Sequence, residues 1–468
     1  MRIPVAFLLF LLTTSAVRAQ VSGNWYAILE AGGRQIPLDL EITETPEGYT
    51  GGLLSPAQSD VRIPLSSVVV NADSILFEVS NFAIRFAGMQ SEEKLTGTFW
   101  QGAFSAPLTW TRDRPAAYTS LLTPEEAIPR PQEPTEFPYQ REAVSFPGGA
   151  PGVTLAGELT LPTSATPKAA VVLVSGSGPQ DRNEYLGPSI NHRPFLVLSD
   201  RLTRNGYAVL RYDDRGVGES SGDFAAATSL DFAGDATAAL RFLHERFTED
   251  ELAIGLVGHS EGGMIAQIVA AEPEQADFII LLAAPGLPID ELMADQRRLL
   301  GSVMPSTEPV MAAATSYIKA HPDMDEGAFR RGLRDTIVSV IPALPAPARE
   351  SIVDAETFAE TFANELTSPW MRYFLAHDPL PYLRRISVPV LAVNGEKDTQ
   401  VSPRNLQGIE RALAEAENPD VTAKQLPGLN HLLQPATSGL PAEYGTIATT
   451  IDEAALRVVT EWLNQRFD

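Results

Sequence analysis

Five apolar runs in the second part of this 468-residue chain restrict its fold more than any other feature: Ala169–Val174, Tyr207–Arg211, Leu252–Val257, Phe278–Leu282 and Val388–Val393. A strand that is apolar on every residue cannot leave one face in water, so both faces must be covered. Runs of this kind separated by helical stretches predict a parallel sheet with helices on either side, an α/β architecture. A sixth strand-like run, Val421–Leu426, follows. Between the fourth and fifth runs a long insertion, about residues 287–382, carries helical spacing in Leu292, Leu299 and Leu300 and again in Ile352, Phe358 and Phe362. It reads as a helical cap over the sheet.

The leading part obeys another rule. From Val21 to about Arg112 apolar residues alternate, as in Trp25, Ala27 and Leu29, in Leu38, Leu40 and Ile42, in Ile75, Phe77 and Val79, and in Leu95, Thr98 and Trp100. Turn signals such as Pro46-Glu47-Gly48 and Gly51-Gly52 separate these strands, which predicts a small antiparallel β domain over residues 20–112, an up-and-down barrel or a sandwich. Pro115, Pro124, Pro129, Pro131, Pro134 and Pro138 then mark an extended connector over 113–140, before the α/β domain of 141–468. Residues 1–19, with Arg2, the apolar run Val5–Leu12 and a small-residue end at Ala19, match a secretory signal peptide and are too short to span a bilayer. Export to the periplasm or the medium is the expectation, with no stable membrane insertion.

Charge and cysteine usage remove whole classes of chemistry. Acidic residues outnumber basic ones 59 to 35, a surface that repels nucleic-acid phosphates. With no cysteine there is no disulfide, thiolate metal site or cysteine nucleophile. Oxygen and imidazole must carry the reaction.

The string Gly258-His259-Ser260-Glu261-Gly262-Gly263 lies between the strand ending at Val257 and the helical Met264–Ala271. That context makes it a nucleophile elbow, a strained strand-to-helix turn on which a serine stands exposed and small neighbours are obligatory. The helix start also turns the Glu261 amide toward developing negative charge. Ser260 needs a base, and the base needs a carboxylate to hold its tautomer. Asp398, on the loop after Val393, and His431, on the loop after Leu426, follow in the required order, with Glu396 as the competing acid. His259 is expected to point away within the elbow, while His192, His244, His321 and His377 cap, pack or face solvent. None has ligand-like spacing, so no metal site and no cofactor are expected. A second oxyanion amide should come from the loop Ser175-Gly-Ser-Gly-Pro-Gln-Asp-Arg182, with Ser177 nominated and Gly178 as the alternative.

Two other patterns are set aside. The glycines of Asp213–Gly222 miss the dinucleotide-binding spacing by one residue, and Asp213 and Arg215 are expected to make local hydrogen bonds. The S-x-x-K matches at Ser91/Lys94 and Ser316/Lys319 lack a Lys-Thr-Gly partner strand.

Together Ser175–Asn183, Tyr212–Ser220, Gly258–Gly263 and Leu429–Gln434 resemble bacterial α/β-hydrolase serine esterases, the nearest group being exported carboxylesterases with a β-rich N-terminal domain. Leu54–Gln58, Ile63-Pro64 and Leu95–Gln101 extend the resemblance to the leading domain. Ser-Gly-Ser-Gly stands where many relatives have His-Gly. The resemblance implies an α/β-hydrolase fold with a helical cap, and hydrolysis of small short-acyl esters with Ser260 as nucleophile, His431 as base and Asp398 as orienting acid. Two alternatives accompany it. A serine aminopeptidase or prolyl-type peptidase would need an amine anchor such as Asp290, Glu291 or Asp295. A surface-binding protein would carry a vestigial site.

Overall fold

The computed structural model describes residues 21–468 apart from 32–33, 47, 58–61, 72–73, 80–83, 92, 102–103, 123–128, 164–165, 188–189, 249–250, 274, 300–307 and 353. The segment 1–19, for which a signal peptide is expected, therefore lies outside the described residues, as do Glu47, Pro124 and Leu300. The chain divides into two units, Met1–Pro124 and Glu125–Asp468.

The first unit is a nine-stranded antiparallel sheet: β1 (Gly23–Ala31), β2 (Arg34–Thr45), β3 (Gly48–Leu54), β4 (Ile63–Pro64), β5 (Ser67–Asn71), β6 (Ser74–Val79), β7 (Ile84–Gln90), β8 (Lys94–Gln101) and β9 (Phe104–Thr111). Every strand pairs with its sequence neighbour except β4 with β5, and β9 returns to β1. At that gap the Leu65 amide donates to the Gly51 carbonyl and the Ser66 amide to the Glu78 carbonyl, so the connecting residues hold both edges of a curled sheet. Alternate residues face inward, as the period-two pattern requires: Trp25, Leu40, Phe77, Phe86, Phe99 and Trp110 are almost fully buried in one core. A short helix, α1 (Tyr118–Leu122), closes this unit.

The second unit has an eight-stranded sheet in the order β10-β11-β13-β12-β14-β15-β16-β17. Its strands are β10 (Gln140–Pro147), β11 (Thr154–Leu161), β12 (Ala170–Val174), β13 (Ala208–Tyr212), β14 (Ile254–His259), β15 (Phe278–Leu282), β16 (Val390–Gly395) and β17 (Val421–Leu426). From β13 to β17 all pairings are parallel. The five apolar runs and the strand-like run Val421–Leu426 are the six parallel strands. The hairpin of β10 and β11 is antiparallel and adds two strands beyond them. β10 is exposed or half-buried except at Phe146, and β11 mixes exposed, half-buried and buried residues, so the hairpin has no continuous apolar signature.

Helices cover both faces. Ala169, Val171 and Leu173 face the core shared with α2 (Pro194–Arg204) and α13 (Glu453–Phe467), while Val172 and Val174 face α3 (Ser229–Arg246) and α4 (Glu261–Ala270). Thr228 caps α3 through a reciprocal capping box with Asp231, which fixes where the helix begins. Between β15 and β16 the described residues of the cap form α5 (Ile289–Leu299), α6 (Glu308–Ala320), α7 (Glu326–Val340), α8 (Ala346–Ser351), α9 (Ala355–Leu366) and α10 (Pro369–Ala376). Val310, Ala314, Ile318, Phe329, Leu333, Ile337, Ala359 and Ala363 give them a continuous apolar interior. Then come α11 (Leu380–Leu383) and, after β16, α12 (Arg404–Glu415).

Part of the proline-rich stretch is docked against the second unit. The Arg130 guanidinium donates to the carbonyls of Ile190, Asn191, Gly445 and Ile447. The Gln132 side chain bonds the backbone at Thr450 and Ile451. Beside them the fully buried His192 donates from Nε2 to the Ile447 carbonyl and bonds Thr450 through Nδ1. Burial, reinforced by the Arg130 charge, pulls the His192 pKa down to about 4. In the unfolded chain this histidine titrates near its ordinary value, so between the two values the unfolded state binds the extra proton. Stability is therefore intact above about pH 6.5 and is lost as the pH falls toward 4, by on the order of 1–2 kcal/mol for this residue after solvent screening. The midpoint of thermal unfolding, measured from pH 7 to 4, should fall less steeply in His192→Gln than in the unmodified protein; identical slopes would remove His192 from the acid response.

Candidate active site

The carboxyl edges of β12, β14, β16 and β17 are neighbours or near neighbours in the sheet, and the loops leaving them carry the residues singled out in the sequence. Crevices at this edge are where open α/β sheets bind ligands.

Ser260 is the hinge between β14 and α4. Its φ of 54° with ψ of −117° is a strained conformation for a residue with a side chain. The strain is held by its amide, which donates to the Leu282 carbonyl at 2.8 Å, and by its carbonyl, which accepts from Gly263 at 2.9 Å. The turn is possible only because its neighbours lack side chains. A Cβ on Gly258 would sit 2.1 Å from the Gly262 carbonyl oxygen, and one on Gly262 would sit 2.0 Å from the Val174 oxygen.

Asp398 stands on the loop after β16, almost fully buried, with every oxygen engaged. Oδ1 accepts from the Gln400 and Val401 amides at 2.9 and 2.8 Å. Oδ2 accepts from Asn394 Nδ2 at 3.1 Å and from His431 Nδ1 at 2.9 Å. A carboxylate held by four donors has one orientation, and it fixes the His431 proton on Nδ1, leaving the Nε2 lone pair to act as a base. The competing acid Glu396 is exposed and accepts from the Gly428 amide. The loop that presents His431 is itself tied by Asn430, whose Oδ1 accepts from the Leu432 and Gln434 amides.

The loop after β12 runs beside the serine: a Cβ built on Gly176 would lie 3.4 Å from Ser260 Cβ. Asp214 anchors this loop by accepting from Ser175 Oγ and the Gln180 amide, and burial together with the nearby Glu261 and Glu184 carboxylates pushes its pKa up to about 8. Asp213 accepts from the Arg182 amide and guanidinium and from the Glu219 amide, while Arg215 pairs with Asp235, so both make local contacts around the loop. The Gly176 amide donates to Glu184, and Ser177, the next residue, is exposed.

Three features escape a reading of the sequence. His259 does not point away: its ring lies 4.9 Å from the His431 ring and its Nε2 donates to the His431 carbonyl at 3.1 Å. Glu184, fully buried in a left-handed conformation with φ 54°, accepts from His259 Nδ1. Trp370 of α10 donates to the Glu261 carboxylate, which also accepts from Ser229 Oγ. Each joins residues 32 or more positions apart, beyond the reach of any local motif. The remaining patterns resolve as local structure. Ser91 and Lys94 close a turn, Ser316 bonds the Ala312 carbonyl within α6, and Lys319 pairs with Asp290. Among the described residues no group of three or more His, Asp or Glu is arranged to hold a metal ion, and no helix is long and apolar enough to cross a membrane.

The family model for "Serine aminopeptidase, S33" matches residues 192–435, just over half of the chain, including the elbow, Asp398 and His431. The chain belongs to that family. It is a hydrolase of the carboxylesterase and peptidase kind. Over 452 residues it is 24% identical to Esterase EstD of Thermotoga maritima, a match that covers 96% of this chain and 93% of that one. Among solved structures it is similar to a Pyrococcus furiosus esterase, with 17% identity, a TM-score of 0.43, and coverage of 70% of this chain and 92% of the other. It is also similar to a proline iminopeptidase of Mycobacterium smegmatis, with 17% identity, a TM-score of 0.40, and coverage of 69% and 98%.

The elbow gives a direct structural prediction. Gly262→Ala drives a methyl group into a backbone carbonyl that cannot rotate away, so the folded protein should lose about 2 kcal/mol or more. Urea unfolding followed by circular dichroism would measure it, and an unchanged midpoint would contradict the packing described.

Proposed function

We propose that this hydrolase cleaves carboxylic esters with short acyl chains through an acyl-enzyme formed on Ser260. The observation that carries the proposal is the bond from His431 Nδ1 to a fully satisfied Asp398, on a loop packed against the residue preceding a strained serine. His431 Nε2 takes the proton of Ser260 Oγ as the oxygen attacks the ester carbonyl. The amides of Glu261 and Ser177 receive the oxyanion, with Gly178 as the alternative to Ser177. Collapse expels the alcohol, which leaves with the proton from His431. Water then enters, loses a proton to His431 and attacks the acyl-enzyme, and the proton returns to Ser260 as the acid departs. Export through the segment 1–19 belongs to the same proposal.

Ester rather than peptide substrate is supported by the likeness to an esterase over nearly the whole chain. Two of the acidic residues that could have anchored a substrate amine are already committed: Asp290 to Lys319, and the buried Asp295 to Arg298, Arg404 and Ser402.

A fluorophosphonate probe should label Ser260 in the unmodified protein and not in Ser260→Ala, as read by peptide mass spectrometry. Hydrolysis of p-nitrophenyl butyrate should exceed that of aminoacyl-p-nitroanilides, and Asp398→Asn should cut kcat by about 10⁴-fold through the wrong imidazole tautomer. Preference for the anilides would move the assignment to a peptidase, and near-normal turnover in Asp398→Asn would move the orienting role to Glu396.

A further inference from the structure

Three parts of the proposed machinery meet at a side chain that the mechanism does not use. His259 is the last residue of β14, directly before the nucleophile, and it is 7% exposed. Nδ1 donates to Glu184 Oε1 at 2.8 Å and Nε2 donates to the His431 carbonyl at 3.1 Å. The His431 carbonyl can only accept, which places a proton on Nε2, and a Glu184 carboxylate accepting from Nδ1 places the second, the ion-paired form of the two side chains. Burial opposes that charge, but the Glu184 carboxylate outweighs it and raises the His259 pKa above its ordinary value. The same Glu184 oxygen also accepts from the Gly176 amide at 2.9 Å.

The arrangement is costly. Glu184 is a buried carboxylate with left-handed backbone, and its Oε2 is buried without a hydrogen-bond partner among the described residues. A buried ion pair contributes little stability compared with apolar residues of the same volume. Its yield here is geometric. One carboxylate oxygen and one ring connect the loop that offers the oxyanion amide, the strand that ends in the nucleophile, and the backbone of the base.

We propose that the Glu184–His259 ion pair is a positioning device that keeps the Gly176–Ser177 backbone and the His431 loop in register with Ser260. The proposal rests on the serine-esterase reading above. Because the pair orients groups that act on the developing oxyanion, its loss should weaken binding of the transition state and leave ground-state binding nearly intact.

The test uses the full chain and the variants Glu184→Ala and Glu184→Gln, each checked for folding by thermal unfolding. Two quantities are compared: kcat and KM for p-nitrophenyl butyrate, and the inhibition constant of an alkyl trifluoromethyl ketone, which forms a tetrahedral adduct on an activated serine. Glu184→Ala should lower kcat by about 10²-fold, near the cost of one oxyanion donor, with KM within about threefold. The trifluoromethyl ketone should weaken by the same factor as kcat/KM. Glu184→Gln should recover part of the loss, since its amide oxygen still accepts from Gly176 while the ring, neutral without the carboxylate, keeps one of its two bonds. Equal damage in both variants, a loss confined to KM, or unchanged kcat and inhibition per folded molecule would overturn the positioning role.

Should Glu184→Ala fail to fold, His259→Asn isolates the other half, because its amide imitates Nδ1 toward Glu184 and cannot reach the His431 carbonyl. It should slow fluorophosphonate labelling by at least about tenfold, and wild-type labelling would overturn the link to the base. An unmodified protein that is neither labelled nor active on the ester removes the serine-esterase reading and this proposal with it. Variants that differ from an active parent speak to the pair alone.

Discussion

Backbone contact at the start of α4 is the constraint on which the site depends. Gly258, Gly262 and the carbonyl of Val174 approach so closely that no side chain fits between them. That closeness brings β12, β14 and α4 together and leaves Ser260 in a conformation that costs of order 1–3 kcal/mol. The helix that follows is buried along all ten residues, and the central strands β12, β14 and β15 are buried throughout. The strain at Ser260 is thus opposed by the best-packed part of the molecule. A serine elsewhere on the sheet edge would have neither the exposure nor the support.

Around that point the site is assembled from loops whose lengths and contents differ, yet each is pinned by a carboxylate or amide side chain bonding to backbone. Asp398 takes two amides, Asn430 two, Asp214 one and a hydroxyl, and Glu184 one. Loops fixed by side-chain acceptors on backbone amides hold position better than loops packed on apolar side chains, because the bonds are directional, and those to ionised carboxylates are stronger than neutral ones. The acidic composition of the chain is in part spent here, inside the molecule.

What could be read from the sequence follows from where the determining forces are local. The parallel strands β12 to β16 announced themselves because full burial demands apolar residues along nearly the whole strand, and the leading sheet because one wet face demands alternation. The elbow was legible because its glycines, its serine and its flanking elements are consecutive. Asp398 and His431 could be proposed from chain order and strand ends, and the structure brings them into contact. The β10–β11 hairpin was not legible: it is partly exposed on both faces and lies among Pro138, Pro147 and Pro151, so it resembles a connector. The role of Arg130 was hidden for a related reason, since its acceptors are carbonyls up to 317 positions away and carbonyls have no sequence identity. His259 was misread because an elbow motif fixes the backbone but is silent about where the preceding side chain finds its partners.

Trp370 gives the cap a physical handle. Its indole nitrogen is bonded to the Glu261 carboxylate, on the residue after Ser260, and its ring stacks on Phe374. Any displacement of α10 away from α4 must break that bond and leave Glu261 with Ser229 alone, a penalty of about 1.5–3 kcal/mol for a hydrogen bond to a charged group. The remaining tryptophans, Trp25, Trp100, Trp110 and Trp462, sit in the leading sheet or on α13. Trp370 is thus the one tryptophan on a cap helix, so its indole emission is an optical probe of the contact between α10 and α4.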